Sequence, residues 1–240
     1  ILHSSNEWIE SYFTSNILRK KLFMSKIKKI DNIAVYPHHR ELSFFPKEKM
    51  ITITPFHKKD VIVPKKEIRN KVIYCSRVEF GGSKQIEEFI RLSEINHGFE
   101  HTIMGSGDKR DIERVIKEVE THKNLNYFGK YDSESLSSAF AESVCQVITS
   151  RTDGEGFPIV FIEAARCGVP IFIRRGASRS IDILVKGNIE WFLYDDISEL
   201  PKKIDEIKNN YEKFSNQIRE FYNDFLSYEY TNQKWMDLIK

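Results

Sequence analysis

From Asn70 onward, short apolar runs alternate with longer stretches that are apolar only at three- and four-residue spacing. Residues 71–75, 100–104, 125–128, 145–149 and 170–173 are short, apolar and bounded by polar residues or glycine, which predicts buried strands. Between them, residues 84–95, 110–119 and 132–141 carry the helical spacing, with Asp132 or Ser133 suited to cap the last of these. Strands alternating with helices predict an α/β architecture, a parallel sheet with helices on both faces. Ligands of such sheets lie at the carboxyl ends of the strands. Arg77, Gly105-Ser106-Gly107, Gly129-Lys130-Tyr131, residues 150–157 and residues 174–178 all follow predicted strands and are expected to meet in one crevice.

The flanks read differently. Residues 17–30 alternate apolar positions with Arg19, Lys20, Lys21, Lys26, Lys28 and Lys29, a basic amphipathic helix without an acidic residue. Residues 32–36 and 49–54 are strand candidates. Residues 57–69 are polar and basic, contain Pro64 and have no period, so a boundary is expected near 68/69. The end of the chain is helical over 199–209, 211–225 and 232–239, and from residue 216 it is rich in aromatic side chains.

A chain of 240 residues suits one large or two small domains. A net charge of +2 is too small to suggest nucleic acid as a partner, and no apolar run is long enough to cross a bilayer. Cys75, Cys145 and Cys167 form no Cys-x-x-Cys pair and sit in apolar stretches, which suits reduced, buried thiols in a cytoplasmic protein. The first residue is Ile1 rather than Met, so a fragment or a processed form is expected.

The densest chemistry lies in Asp153–Pro170, DGEGFPIVFIEAARCGVP. Pro158 suits the first turn of a helix, where its missing N–H would have no partner. Gly168 suits the far end, where a left-handed residue stops the helix. Glu155 then lies on the loop before the helix and Glu163 one to two turns inside it. A helix start presents free N–H groups and positive dipole, a seat for phosphate, and carboxylates beside it accept from sugar hydroxyls. Together they describe a nucleotide-sugar site.

This segment resembles the Glu-x7-Glu signature of retaining glycosyltransferases of the GT-B fold, family 4 (group 1). Glu155, Gly156, Phe157, Pro158, Glu163, Ala164, Gly168 and Pro170 fall in register with it. The resemblance implies a Rossmann-like C-terminal domain over 69–215 that binds the nucleotide sugar. Residues 1–68 would be part of the N-terminal, acceptor-side domain with its linker, and 216–240 helices packing back toward it. The implied reaction moves a sugar from a nucleoside diphosphate sugar, a UDP-sugar first among them, to a hydroxyl acceptor with retention. A saccharide or lipid-linked saccharide acceptor, and a role in bacterial polysaccharide or glycolipid synthesis, come with it.

The resemblance also assigns residues. Glu163 would bind the ribose hydroxyls, Glu155 would sit nearer the donor sugar, and the backbone of Phe157, Pro158 and Ile159 would hold the diphosphate or the sugar hydroxyls. Arg77 and Lys84 would offset the charge that develops on the leaving diphosphate, although Ser76 replaces the usual glycine and the Arg–Lys gap is longer than in the family. Gly105 would line the crevice, and Tyr131 would frame or stack on the base. His3 is the one histidine placed like the first-domain histidine of the family.

No Asp-x-Asp triad follows an apolar strand and no histidine pair has a third ligand, so neither a metal nor any other cofactor is expected. The run from Arg19 to Lys29 suits peripheral contact with an anionic membrane, which sedimentation with anionic vesicles would read. Two other readings stay open: a non-catalytic nucleotide-sugar-binding subunit, and a nucleotide-sugar epimerase of the same fold.

Overall fold

The computed structural model describes residues 33–37, 46–55 and 70–239, with Lys21, Leu22, Ser25, Lys26 and Lys29 besides. His3, the linker at 57–69 and most of the predicted helix at 17–30 lie outside the described residues. Two short strands, β1 (Ile33–Val35) and β2 (Met50–Thr52), pair in parallel. The main body is a six-stranded parallel sheet of β3 (Lys71–Cys75), β4 (Glu100–Met104), β5 (Leu125–Gly129), β6 (Ser143–Ile148), β7 (Ile171–Arg174) and β8 (Leu193–Tyr194).

The spatial order is β5-β4-β3-β6-β7-β8. The chain therefore winds outward from β3 in one direction and from β6 in the other. The two central strands diverge in their connections at that point, leaving a crevice at their carboxyl ends. All six residues of β6 are buried, as a central strand covered on both faces requires.

Among the described residues, eight α-helices follow from Ile86 to Ile239. Helix α1 (Ile86–Ile95) buries Ile86, Phe89, Ile90 and Leu92 on one face. It starts two residues later than the spacing predicts, because Gln85 is left-handed (φ 46°) and leaves Lys84 on the loop. Helix α2 (Lys109–Thr121) is capped by Asp108, and α3 (Ser133–Glu142) by Asp132 in a reciprocal box with Ser135. Helix α4 (Ile159–Arg166) carries the glutamate motif, and Pro158 is its N-cap rather than its first helical residue. Helix α5 (Arg179–Val185), capped by Ser178, and strand β8 are absent from the periodicity reading. The first is seven residues long and the second two, below the length at which a period can be recognised.

Three helices close the chain: α6 (Leu200–Asn209), α7 (Tyr211–Phe225) and α8 (Tyr228–Ile239). The last starts four residues earlier than predicted, where Ser227 Oγ accepts from Tyr230 N at 3.2 Å. Thr54, just after β2, donates to the Phe225 carbonyl at 3.2 Å and meets Thr231 Oγ1 at 3.1 Å. The C-terminal helices thus pack on the segment that precedes the main sheet. Among the described residues no helix is long and apolar enough to cross a membrane.

One core residue makes stability depend on pH. His101 on β4 is fully buried, its Nε2 has no partner, and Phe89 packs edge-on against its ring. Burial pushes its pKa down to about 4, opposed by a backbone hydrogen bond at Phe99 and aided slightly by His97. The unfolded chain therefore binds the extra proton between the ordinary value of 6.5 and about 4, and stability falls as pH falls through that window. The His101 share should be roughly 3 kcal/mol at the acid end. Urea midpoints measured against pH should show a flatter acid limb in His101→Phe; an unchanged limb would assign the slope to other groups.

Candidate functional site

The loops after β3 and β4 are stitched together. Ser76 N donates to the Met104 carbonyl at 3.1 Å, and Val78 N to the Ser106 carbonyl at 2.9 Å. A Cβ on Gly105 would overlap the Ser76 carbonyl oxygen, and one on Gly107 would overlap that of Val78. These glycines are demanded by backbone approach. The turn resembles a phosphate loop because both need the chain to come close.

A cleft of about 490 Å³ opens above this junction, lined among others by Ser76, Arg77, Gly105, Ser106, Lys130 and Tyr131. The Arg77 side chain is 61% exposed and pairs with Glu79 Oε2 at 2.9 Å. Tyr131 is half-buried. Burial first, then the charges of Cys75 and Glu163, raise the pKa of its hydroxyl, so it stays a neutral donor.

The glutamate loop lies across the ends of β6 and β7. Its backbone is tied to the loop after β7 by Asp153 N to the Gly176 carbonyl at 2.8 Å and Glu155 N to the Ala177 carbonyl at 2.9 Å. Ser178 Oγ donates to the Gly156 carbonyl at 2.9 Å. Phe157 and Pro158 are buried, and the Phe157 ring lies 6.1 Å from that of Tyr36. Ile159, the first residue of α4, is 43% exposed. Glu163 is half-buried on α4, flanked by the fully buried Ile162 and Ala164.

Glu155 does not stand alone. Its Oε1 is gripped by Lys84 Nζ and accepts from Ser150 Oγ at 2.6 Å. Lys84 is therefore not a free cation awaiting phosphate. It neutralises the motif glutamate at a site where both side chains are largely shielded from water (16% and 13% exposed).

The structure thus brings the loops after β3, β4, β5, β6 and β7 to one end of the sheet, as expected, but in two adjoining parts. Arg77, Gly105 and Tyr131 line the cleft; Lys84, Glu155 and the start of α4 form the neighbouring wall. Sequence reasoning placed Ser150 at the crevice but missed its bond to Glu155; it also missed Thr149, which follows β6 and holds the Lys84 carbonyl, and Glu79, which engages Arg77. Two hydroxyls at the carboxyl end of an apolar strand were the available signal. Among the described residues, no three His, Cys, Asp or Glu side chains are grouped to hold a metal ion.

The family model of the glycosyl transferases group 1 matches residues 56–224. The chain belongs to this family. A search of curated proteins found no match. Among solved structures, the chain is similar to TarM, with a TM-score of 0.70 and 22% identity, over 92% of this chain and 46% of that one. It is also similar to HepE from Anabaena in complex with UDP and glucose, with a TM-score of 0.71 and 13% identity over 100% of this chain and 70% of that one. A third is the pneumococcal O-GlcNAc transferase GtfA in complex with UDP and GlcNAc (TM-score 0.61, 15% identity, 90% of this chain and 46% of that one). The likeness is one of fold, the GT-B fold of these glycosyltransferases. The chain spans about half the length of TarM and GtfA.

Proposed function

We propose that the protein transfers a sugar from a UDP-sugar to a hydroxyl acceptor with retention of configuration, as a family 4 type enzyme of the GT-B fold. One observation carries this reading: the Lys84–Glu155 pair and the start of α4 form one wall of the crevice at the switch point, beside a cleft lined by Arg77 and Tyr131. Solved neighbours bound to UDP, UDP-glucose or UDP with a free sugar support the choice of base.

In this reading Tyr131 and Lys130 meet the nucleoside and Glu163 accepts from the ribose hydroxyls. Arg77 swings from Glu79 to the diphosphate, which a largely exposed side chain does at small cost. Lys84 stays paired with Glu155 and sets that carboxylate beside the donor. Arg77 acts where negative charge grows as the glycosidic bond breaks. Glu155 accepts from a hydroxyl of the donor sugar. The enzyme's contribution is positioning and charge, with the leaving phosphate guiding the acceptor on the same face. These groups need no metal, and the acceptor is taken to be a saccharide or a lipid-linked saccharide at the cytoplasmic side.

The test is a thermal-shift series with UDP, GDP and ADP and their sugars. A ligand that binds only the folded state adds RT ln(1 + [L]/Kd), about 2.7 kcal/mol at a hundredfold excess over Kd. UDP and at least one UDP-sugar should raise Tm; a chain indifferent to every nucleotide would sink the proposal.

A further inference from the structure

Both hydrogen-bonding contacts to Glu155 converge on a single carboxylate oxygen. Lys84 Nζ and Ser150 Oγ both reach Oε1, the hydroxyl at 2.6 Å. Ser150 is 2% exposed and follows the last residues of β6, so its rotamer is set by packing. Its neighbour Thr149, 1% exposed, donates to the carbonyl of Lys84 itself at 2.8 Å. Arg151 N then donates to the Ser83 carbonyl at 2.9 Å. Three consecutive residues at the end of the central strand therefore hold the lysine loop and the glutamate side chain at once. The Glu155 backbone is fixed separately, by its N–H to Ala177.

A carboxylate anchored at its backbone and at one oxygen cannot turn freely, and its second oxygen points in one direction. We propose that Ser150 is a positioning residue for donor selection. It holds Oε1 of Glu155 so that Oε2 faces a hydroxyl of the glycosyl group, while the nucleotide is held elsewhere. The inference rests on Glu155 being the group that meets the donor sugar. It separates sugar recognition, built on β6 and its loop, from nucleotide recognition, built on the cleft and α4. Pre-set geometry of this kind is lost when one supporting hydroxyl is removed, even though the glutamate remains.

The experiment measures Kd by calorimetry on the full chain for UDP and for UDP-glucose, UDP-galactose and UDP-N-acetylglucosamine. It compares wild type, Ser150→Ala, Glu155→Ala and the double variant. Ser150→Ala should weaken the best UDP-sugar about 10-fold, the scale of one hydrogen bond to a charged group, and leave UDP itself within about twofold. In the Glu155→Ala background, the same substitution should add nothing, since two residues acting through one contact are not additive. Undiminished UDP-sugar binding in Ser150→Ala would overturn the proposal. So would an equal loss for UDP and UDP-sugar, which marks a merely structural residue. A wild-type chain that binds no nucleotide would instead fail the underlying reading, and is told apart by the UDP titration alone.

Discussion

Glu163→Ala is expected to weaken UDP binding about 100-fold and to erase the UDP-dependent rise in Tm, with the ligand-free Tm changed by only a few degrees. A carboxylate that accepts from both ribose hydroxyls makes two charge-assisted hydrogen bonds, each worth roughly 1.5–3 kcal/mol. The side chain is half-buried on α4, between the fully buried Ile162 and Ala164. Alanine is the best helix former, and the helix itself should persist. Calorimetric titration with UDP reads the effect. An affinity within about threefold of wild type would remove Glu163 from the nucleotide site and with it the assignment of the second motif glutamate.

The largest stability effect is expected at Gly105. A Cβ there overlaps the Ser76 carbonyl oxygen, a backbone atom that cannot move aside without displacing the end of β3. The residue also has φ +157°, and its N–H is held by the Gly129 carbonyl at 2.8 Å. Its own carbonyl accepts from Tyr127 at 3.0 Å. Clash and strain together should destabilise Gly105→Ala by roughly 3 kcal/mol or more, a fall in Tm of about 10 °C. Gly98→Ala is the control: nothing lies within 4 Å of its Cβ, and its φ is not positive. It should stay within about 0.5 kcal/mol of wild type. Differential scanning of both variants checks this. A Gly105→Ala chain as stable as the control would mean that the β3 and β4 loops separate readily, and that the cleft floor is not rigid.

The motif segment also has a structural role that its chemistry hid. Gly168, the helix stop, has φ +66°, and the side chain of Arg219 on α7 lies across it. Its carbonyl accepts from Ser215 Oγ at 2.7 Å and Tyr211 Oη at 3.3 Å, while Phe161 meets Phe221 edge-on. Helix α4 is therefore pinned from behind by α7 while its start faces the crevice. In the sequence, Gly168 reads only as a stop signal, since nothing local marks the arrival of a helix more than forty residues later.

Most of the fold was legible because its signals are short in range. Five of the six main strands, the boundaries of α7 and the caps at Asp132 and Gly168 follow from periodicity and capping chemistry within a few residues. The misplaced starts have equally local causes. Gln85 adopts a left-handed conformation that no rule requires of glutamine, and Pro158 stands one position before the helix instead of inside it. Strand β8 survives with two residues because β7 supplies its hydrogen-bonding partner.

By itself, then, the sequence determined the alternation of strands and helices, the loop–helix placement of Glu155 and Glu163, and the end of the sheet at which chemistry would collect. These depend on side-chain spacing, which the chain carries wherever it goes. Tertiary structure alone decided that Lys84 meets Glu155 across 71 residues and that Ser150 shares the same oxygen. It also decided that the cleft and the glutamate wall adjoin. The physical reason is strand order. β3 and β6 become neighbours only when the sheet assembles outward from its centre, and that adjacency, invisible to any local pattern, brings the two loops within hydrogen-bonding distance.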